Sequence, residues 1–259
     1  MSGLRQDLEV VLAVCGRTWI KTLRRPVVLT FSLGQPLIWM LFFGFLFARY
    51  RLLDLDPRLG YLDFLAPGVC AMTVLFGASQ AGIGWIRDLQ TGFLPRLLNT
   101  PARPAAILAG KLLADVSRLL LQVAVVLALA LALGARLRPA ASAVAVAVLA
   151  LVLFAVAFAS LSSIIALAAR AQEAMAAFVH LVNMPLIFTS TALVPQRQMP
   201  DALAAIARLN PLTLTVDAWR DALLFGHQPD ASGLLLTALL AAVLFAFAAR
   251  GLGRAAELY

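Results

Sequence analysis

Apolar residues in this chain come in long runs with little or no charge, and the polar residues collect between them. The runs at 27–47, 64–86, 107–133, 143–168, 174–195 and 231–249 are each long enough for a bilayer-crossing helix, which takes about 20 residues at about 1.5 Å rise per residue. The expected fold is an all-α polytopic membrane protein with six transmembrane helices. Residues 1–25 follow another pattern. Leu4, Leu8, Val11, Cys15, Trp19 and Leu23 recur at helical spacing, while Arg5, Glu9, Arg17, Lys21 and Arg24 fall largely off that stripe. A basic, amphipathic helix of this kind lies in the bilayer interface. Arg24 and Arg25 end it, and Pro26 suits the first turn of the first span.

Several runs carry polar residues whose positions matter. Lys111, Asp115 and Arg118 sit on the first turns of the third run, near the membrane boundary, and Ser160, Ser162 and Ser163 cluster late in the fourth. The fifth holds Asn183 and Pro185, followed by Thr189, Ser190 and Thr191. A proline there removes a backbone bond and predicts a kink or break, so Asn183, Pro185, Thr189 and Ser190 are expected to face a protein interface or a cavity. Between 197 and 230, Ala202, Ile206 and Leu209, then Val216 and Leu223, keep helical spacing on either side of Asn210 and Pro211. That predicts two short amphipathic helices before the sixth span. The connector 87–104 is polar and proline-bearing, yet Leu89, Phe93, Leu94, Leu97 and Leu98 are too many apolar residues for a loop that meets only water.

Composition narrows the class. Hydrophobic residues make up 62% of the 259, charged residues 13%, and the mean hydropathy is +0.92; a soluble domain carries about a quarter charged residues. The net charge of +8 would suggest nucleic acid in a soluble protein, but here it reports topology. Arg5, Arg17, Lys21, Arg24, Arg25, Arg87, Arg96, Arg103, Lys111, Arg118, Arg170, Arg250 and Arg254 fall on one side of the six-span arrangement. Arg49, Arg51, Arg58, Arg136, Arg138, Arg197, Arg208 and Arg220 fall on the other. The richer side is expected to be cytoplasmic, with both termini inside. Residues 1–25 lack a signal-peptide pattern, so the first span is expected to act as its own insertion signal. Cys15 and Cys70 are assigned to different environments and predict no disulfide.

Catalytic chemistry is largely missing from the pattern. His180 and His227 stand far apart, which predicts no metal site. Glu173 and Asp115 lie near helix ends, where ion pairing explains them better than a proton relay. Gly110-Lys111 is followed by Leu112, and no phosphate-binding loop of the G-x-x-x-x-G-K-[ST] type occurs. This chain is therefore expected to bind no cofactor. If ATP drives it, ATP and magnesium belong to a partner.

Two stretches carry a resemblance. The first runs from Tyr61-Leu62-Asp63-Phe64-Leu65-Ala66-Pro67-Gly68 to Asp88-Leu89-Gln90-Thr91-Gly92-Phe93, Arg96-Leu97-Leu98-Asn99-Thr100-Pro101 and Gly110-Lys111. The second is Met199-Pro200, Leu209-Asn210-Pro211-Leu212-Thr213, Asp217 and Arg220. Over essentially its whole length, in order, the chain resembles the ABC-2 type permease family, the membrane subunits of ABC exporters of the daunorubicin-resistance and nodulation-protein type. The resemblance implies a dimeric membrane domain, six helices per half, docked on two separately encoded ATPase subunits. It implies a coupling helix in the loop 87–104, a role that falls on Asp88, Gly92, Arg96, Leu97, Leu98, Thr100 and Pro101. Leu89 and Gln90 stand where the family commonly has Arg and Glu. Phe93 joins the set as an apolar knob beside Leu97 and Leu98, with Gly92 allowing a close approach and Pro101 fixing the exit.

The resemblance also implies that the helices of 197–230 cap the translocation path from outside, with Asn210 and Pro211 among the gate residues. The first and fifth spans would form the dimer seam, with Gly34, Ala174, Ala176 and Ala177 letting backbones approach. The function expected is export of an amphipathic or lipid-like substrate, whether drug, lipid or lipid-linked saccharide, across a bacterial inner membrane. An ion-coupled secondary transporter or channel is the alternative, and a lipid-acting membrane enzyme a more distant one.

Overall fold

The computed structural model describes residues 2–24, 26–47, 59–137 and 139–256, apart from the side chains of 2, 26–32 and 256. Arg25, Arg49, Arg51, Arg58 and Arg138, which enter the charge balance, lie outside the described residues. Among the described residues every regular element is helical. Helix α1 spans Ser2–Leu23, α2 Pro26–Leu46, α3 Tyr61–Ser79, α4 Ala81–Gln90 and α5 Phe93–Leu98. Then come α6 at Pro104–Ala132, α7 at Ala141–Ala169, α8 at Gln172–Phe188, α9 at Asp201–Leu209, α10 at Pro211–Arg220 and α11 at Ala231–Ala256.

Four helical lengths are long and apolar enough to cross a membrane: Tyr61–Gln90, Pro104–Ala132, Ala141–Ala169 and Ala231–Ala255. The first of these is the centre of the bundle, because 94% of its apolar stretch is buried against 17% for the last. Helix α3 touches α2, α6, α7, α8 and α10, so most of its neighbours are protein. Helix α11 packs chiefly against α7.

The boundaries differ from the hydrophobic pattern in ways the local chemistry explains. The second span, expected at 64–86, starts at Tyr61 because the Asp63 carboxylate accepts from the Gly60 backbone N–H at 2.8 Å. The other Asp63 oxygen accepts from the Arg136 N–H at 2.5 Å, which ties this end to the α6–α7 turn. The same span runs to Gln90, so residues 87–90, expected in a loop, form its last turn. It is also interrupted at Gln80, which the apolar run conceals. The third span begins at Pro104, the proline filling a position whose N–H has no helical partner.

The run expected as the fifth span, 174–195, forms a shorter helix than expected and is not among the four lengths able to cross. Helix α8 ends at Phe188, and 189–195 is irregular, because Thr189 and Ser190 turn back to the helix end. The Thr189 hydroxyl donates to the Pro185 carbonyl at 2.7 Å, and the Ser190 hydroxyl to that of Ile187 at 2.8 Å. At its other end α11 continues past the expected 249 through Arg250 and Arg254 to Ala256.

Helix α1 is held on the bundle along its length. Its Val11 backbone lies so close to Gly110 of α6 that a Cβ there would be 2.6 Å from the Val11 oxygen. Trp19 Nε1 donates to Ser117 Oγ at 2.9 Å, and Arg103 pairs with Asp7 at 3.0 Å. Leu4, Leu8, Leu12, Ile20 and Leu23 remain exposed on its outer side, so only part of the expected apolar stripe faces away from protein.

Candidate functional site

At the α5 end of the bundle, Asp88 organises the geometry. It is 7% exposed, which would be costly for a lone carboxylate. Three cations compensate: Lys21 at 2.5 Å, Lys111 at 3.1 Å and Arg17 at 3.3 Å. Two come from α1 and one from α6, so a single residue of α4 ties three helices. The same Arg17 guanidinium lies 3.2 Å from the Phe93 ring centroid, and the Lys111 ammonium lies 4.0 Å from that of Trp85. Both are cation–π arrangements.

The expected coupling residues divide between two faces of this structure. Asp88 and Leu98 point inward, Leu98 joining Leu94 in the core. This is why five apolar residues occur in so short a connector: Leu94 and Leu98 are core residues, while Leu89 and Leu97 pack against the core from its edge. Phe93 and Leu97 are half-buried, and Arg96, Thr100 and Pro101 are exposed. Gly92 has φ +68°, and a Cβ added to it would meet nothing within 4 Å. The glycine answers the left-handed turn between α4 and α5, not a close approach.

At mid-height the interruption in the second span is bridged by a side chain from α7. The Ser162 hydroxyl donates to the Ser79 carbonyl at 2.6 Å and accepts from the Gly82 N–H at 2.9 Å. Ser163 Oγ accepts from Trp85 Nε1 at 2.9 Å. On the other flank, Ser79 Oγ donates to Asn183 Oδ1 of α8 at 2.9 Å. Asn183 is fully buried, and its Nδ2 has no hydrogen-bond partner among the described residues, as is true of Ser160 Oγ. Asn183 therefore serves the junction between α3 and α8 and not the backbone freed by Pro185, which is itself exposed.

At the opposite end, Asn210 joins α8 to α10. Its Nδ2 donates to the Leu186 carbonyl at 2.8 Å and to Thr189 Oγ1 at 2.9 Å, while its Oδ1 caps α10 by accepting from the Leu212 N–H at 2.9 Å. Pro211 follows as the first residue of α10. Arg220, 6% exposed, donates to the carbonyls of Thr191 at 2.7 Å and of Ala192 and Phe64 at 3.3 Å, and it pairs with Asp217 at 3.3 Å. Burial pushes its guanidinium down to about 10, so it remains charged at neutral pH.

The expected coupling set, Asp88 to Pro101, lies at one end, while the expected path or gate set is spread: Asn183 at mid-height, Pro185 on the exposed side of α8, and Thr189, Ser190, Asn210 and Pro211 at the other end. The sequence pattern points to none of Arg17, Lys21 and Ser162 as partners in these groups. A signal exists for Asp88 alone, an acid in an apolar setting that must find bases elsewhere in the chain. No group of three or more His, Cys, Asp and Glu residues that could hold a metal occurs among the described residues.

Comparison with known proteins identifies the family. The ABC-2 type transporter family model matches residues 9–224. The chain is 32% identical over 223 residues to the ycf38 protein of Cyanophora paradoxa, whose name designates a transport permease, with 85% of this chain and 76% of that protein covered. It is 30% identical over 196 residues to the daunorubicin resistance ABC transporter permease protein DrrB1 of Streptomyces coeruleorubidus, covering 76% of this chain and 68% of that protein. This chain belongs to the ABC-2 type transporter family, as a multi-pass membrane subunit of an ABC transporter.

Proposed function

We propose that the protein is the permease half of an exporter in a bacterial inner membrane, with both termini cytoplasmic and six spans per chain. Two copies would pair along α2 and α8, and two copies of a separate ATPase would bind the α5 end, carrying the ATP and magnesium. Six spans require α2 and the 17-residue α8 to cross alongside the four longer lengths. Seventeen residues is at the lower limit of about 17–25 for a crossing helix. Ala176 and Ala177 lie on the exposed face of α8, and Ala174 at its edge and Gly34 on α2 are half-buried, in keeping with a seam.

The observation that carries this reading is the anchoring of α5. Gly92 turns the chain so that Arg96, Thr100 and Pro101 lie outermost, with the half-buried Phe93 and Leu97 beside them, while Asp88 binds α1 and α6 behind them. A push on α5 by a nucleotide-driven partner would be passed directly to Asp88 and from there to two other helices. In this reading Asp88, Gly92 and Leu98 position the coupling helix, and the other five meet the ATPase. The break at Gln80 lets the lower part of the second span tilt against the upper part, with Asn183 and Ser162 at the pivot. The substrate class of this reading is amphipathic or lipid-like, since three Tyr and four Trp leave few aromatic platforms for stacking a glycan.

The test is a pulldown of the partner ATPase with substrate-stimulated hydrolysis measured on the same complex. Loss of a buried interface anchor costs about 2 kcal/mol or more. Leu97→Ala and Phe93→Ala should therefore weaken binding or uncouple hydrolysis while the permease remains inserted. Unchanged binding and coupling in both variants would return α5 to a plain connector. Hydrolysis by the isolated chain would remove the separate ATPase from the account.

A further inference from the structure

A cavity of about 540 Å³ lies beside Asp88, between α1, α4, α6 and the start of α8. Its volume falls within the range of about 300–1,000 Å³ usual for small-molecule sites. Its ionisable lining is unbalanced: Lys21, Arg87, Lys111 and Arg118 face it against Asp88 and Asp115. Asp88 is shared by Lys21 and Lys111, and Asp115 meets Arg118 at 3.5 Å. Arg87 has no ion-pair partner among the described residues and is exposed. Both acids are already in use, and two formal positive charges remain for an occupant.

Among the other lining groups, Gln80 brings an amide donor. The Thr18, Thr22 and Thr91 hydroxyls already donate to the Val14, Thr18 and Arg87 carbonyls, so the donors that meet an oxyanion are the cations and this amide. Several forked or rotatable donors converging from different helices match the three or four oxygens of a phosphate better than the two of a carboxylate. The depth is right for a lipid headgroup. Lys111, Asp115 and Arg118 mark where the charges of α6 stop and its uncharged length to Ala132 begins. Beside them, α1 exposes Leu12, Ile20 and Leu23, each more than half exposed.

We propose that this cavity is a binding site for the phosphate headgroup of an anionic amphiphile, entered from the leaflet that α1 borders. Naming that leaflet the inner one rests on the orientation proposed above, but binding at the site does not. An occupant would sit next to the Lys21 and Lys111 ammonium groups that hold Asp88, so its charge is felt by the same residues that anchor α5.

The test uses the full-length chain in neutral maltoside detergent. Dioleoyl phosphatidylglycerol, dioleoyl phosphatidylcholine, glycerol 1-phosphate and inorganic phosphate are titrated separately, and native mass spectrometry counts the bound molecules. Phosphatidylglycerol should saturate at one tight site per chain that phosphatidylcholine does not fill. Arg87→Gln and Lys21→Gln should each weaken that site by about tenfold, the loss of one charge-assisted contact. Arg254→Gln, on the exposed last turn of α11, should leave it unchanged. Competition by millimolar phosphate or glycerol phosphate would assign the site to soluble phosphate compounds, and lack of competition to the lipid; both retain phosphate chemistry. Equal filling by phosphatidylcholine, or equal weakening by Arg254→Gln, would overturn the proposal, since binding would then be ordinary annular attraction. Size-exclusion profiles matching the parent protein show that the variants compared are folded.

Discussion

Asp88 and Arg220 are deeply buried charged residues at opposite ends of the bundle, and the two ends satisfy them in opposite ways. Asp88 is met by three side-chain cations, of which Lys111 is buried and the other two are partly exposed: the Arg17 and Lys21 side chains are 30% and 48% accessible. Arg220 is met mainly by backbone carbonyls of Phe64, Thr191 and Ala192, which have fixed positions. Ion pairs with flexible, hydrated partners can be exchanged at small cost, whereas directional bonds to buried backbone cannot. The Arg220 end is therefore built to stay, and the Asp88 end can be rearranged. That difference suits the proposed drive from the α5 end.

The largest effect should come from Arg220→Met. The Phe64, Thr191 and Ala192 carbonyls lose a donor, each buried group left unsatisfied costing about 1–3 kcal/mol, and the half-exposed Asp217 loses its ion pair while keeping the Thr191 hydroxyl. Because a folded protein has only about 5–15 kcal/mol in reserve, the variant should accumulate poorly and lose its monodisperse peak on mild heating. A melting temperature equal to that of the parent would show that the carbonyls find other donors, and the contrast between the ends would fail.

Asp88→Asn should cost about 3 kcal/mol, because Lys111, with only 6% of its side chain accessible, loses its counter-charge. Arg17→Gln and Lys21→Gln should each cost under about 1 kcal/mol, as partly exposed ion pairs do. Thermal unfolding of the three variants in detergent gives the ordering directly. Equal losses in all three would mean that the network acts as one rigid unit and has no exchangeable part.

Ser162→Ala comes next. It removes a donor from the Ser79 carbonyl and an acceptor from the Gly82 N–H, so about 1–2 kcal/mol should be lost. Transport should fall more than this loss implies if the break at Gln80 is a pivot, because the two parts of the second span would lose their common tie to α7. A serine replaced without effect on transport would leave the break as a packing feature.

Most of the helices are legible from the chain alone, and so is the family, because a membrane helix needs a long apolar run and the loop motifs are distinctive. Less visible are features set by partners from distant segments. The break at Gln80 lies inside a charge-free run and is stabilised by Ser162, 80 residues away from Gly82, which supplies the missing backbone partners. Likewise the motif around Asp88 points to a coupling role, but the inward orientation of that residue depends on Arg17, Lys21 and Lys111. Leu94 and Leu98 read as a docking surface in the sequence because a pattern of five apolar residues in a connector does not say which of them reach the core. The end of α8 is hidden for a simpler reason: Thr189 and Ser190 are compatible with a helix interior until their hydroxyls are seen to turn back to it.

The smallest stability effect is expected at Pro185, and it discriminates between two uses of the same helix. Pro185 lies on the exposed side of α8, one turn before the helix ends, and its own carbonyl is already met by the Thr189 N–H at 2.9 Å and hydroxyl at 2.7 Å. The end of α8 is also held independently by Asn210 on the Leu186 carbonyl. Replacing the ring by alanine restores a backbone N–H near its natural acceptor and removes no buried contact, so Pro185→Ala should stay within about 0.5 kcal/mol of the parent. If α8 meets its counterpart in a second copy, however, the ring is part of that seam. Dimer dissociation and transport should then change while the monomer's melting temperature does not. A variant with parental dimerisation and parental transport would leave this face of α8 to the lipid and shift the dimer seam to α2 alone.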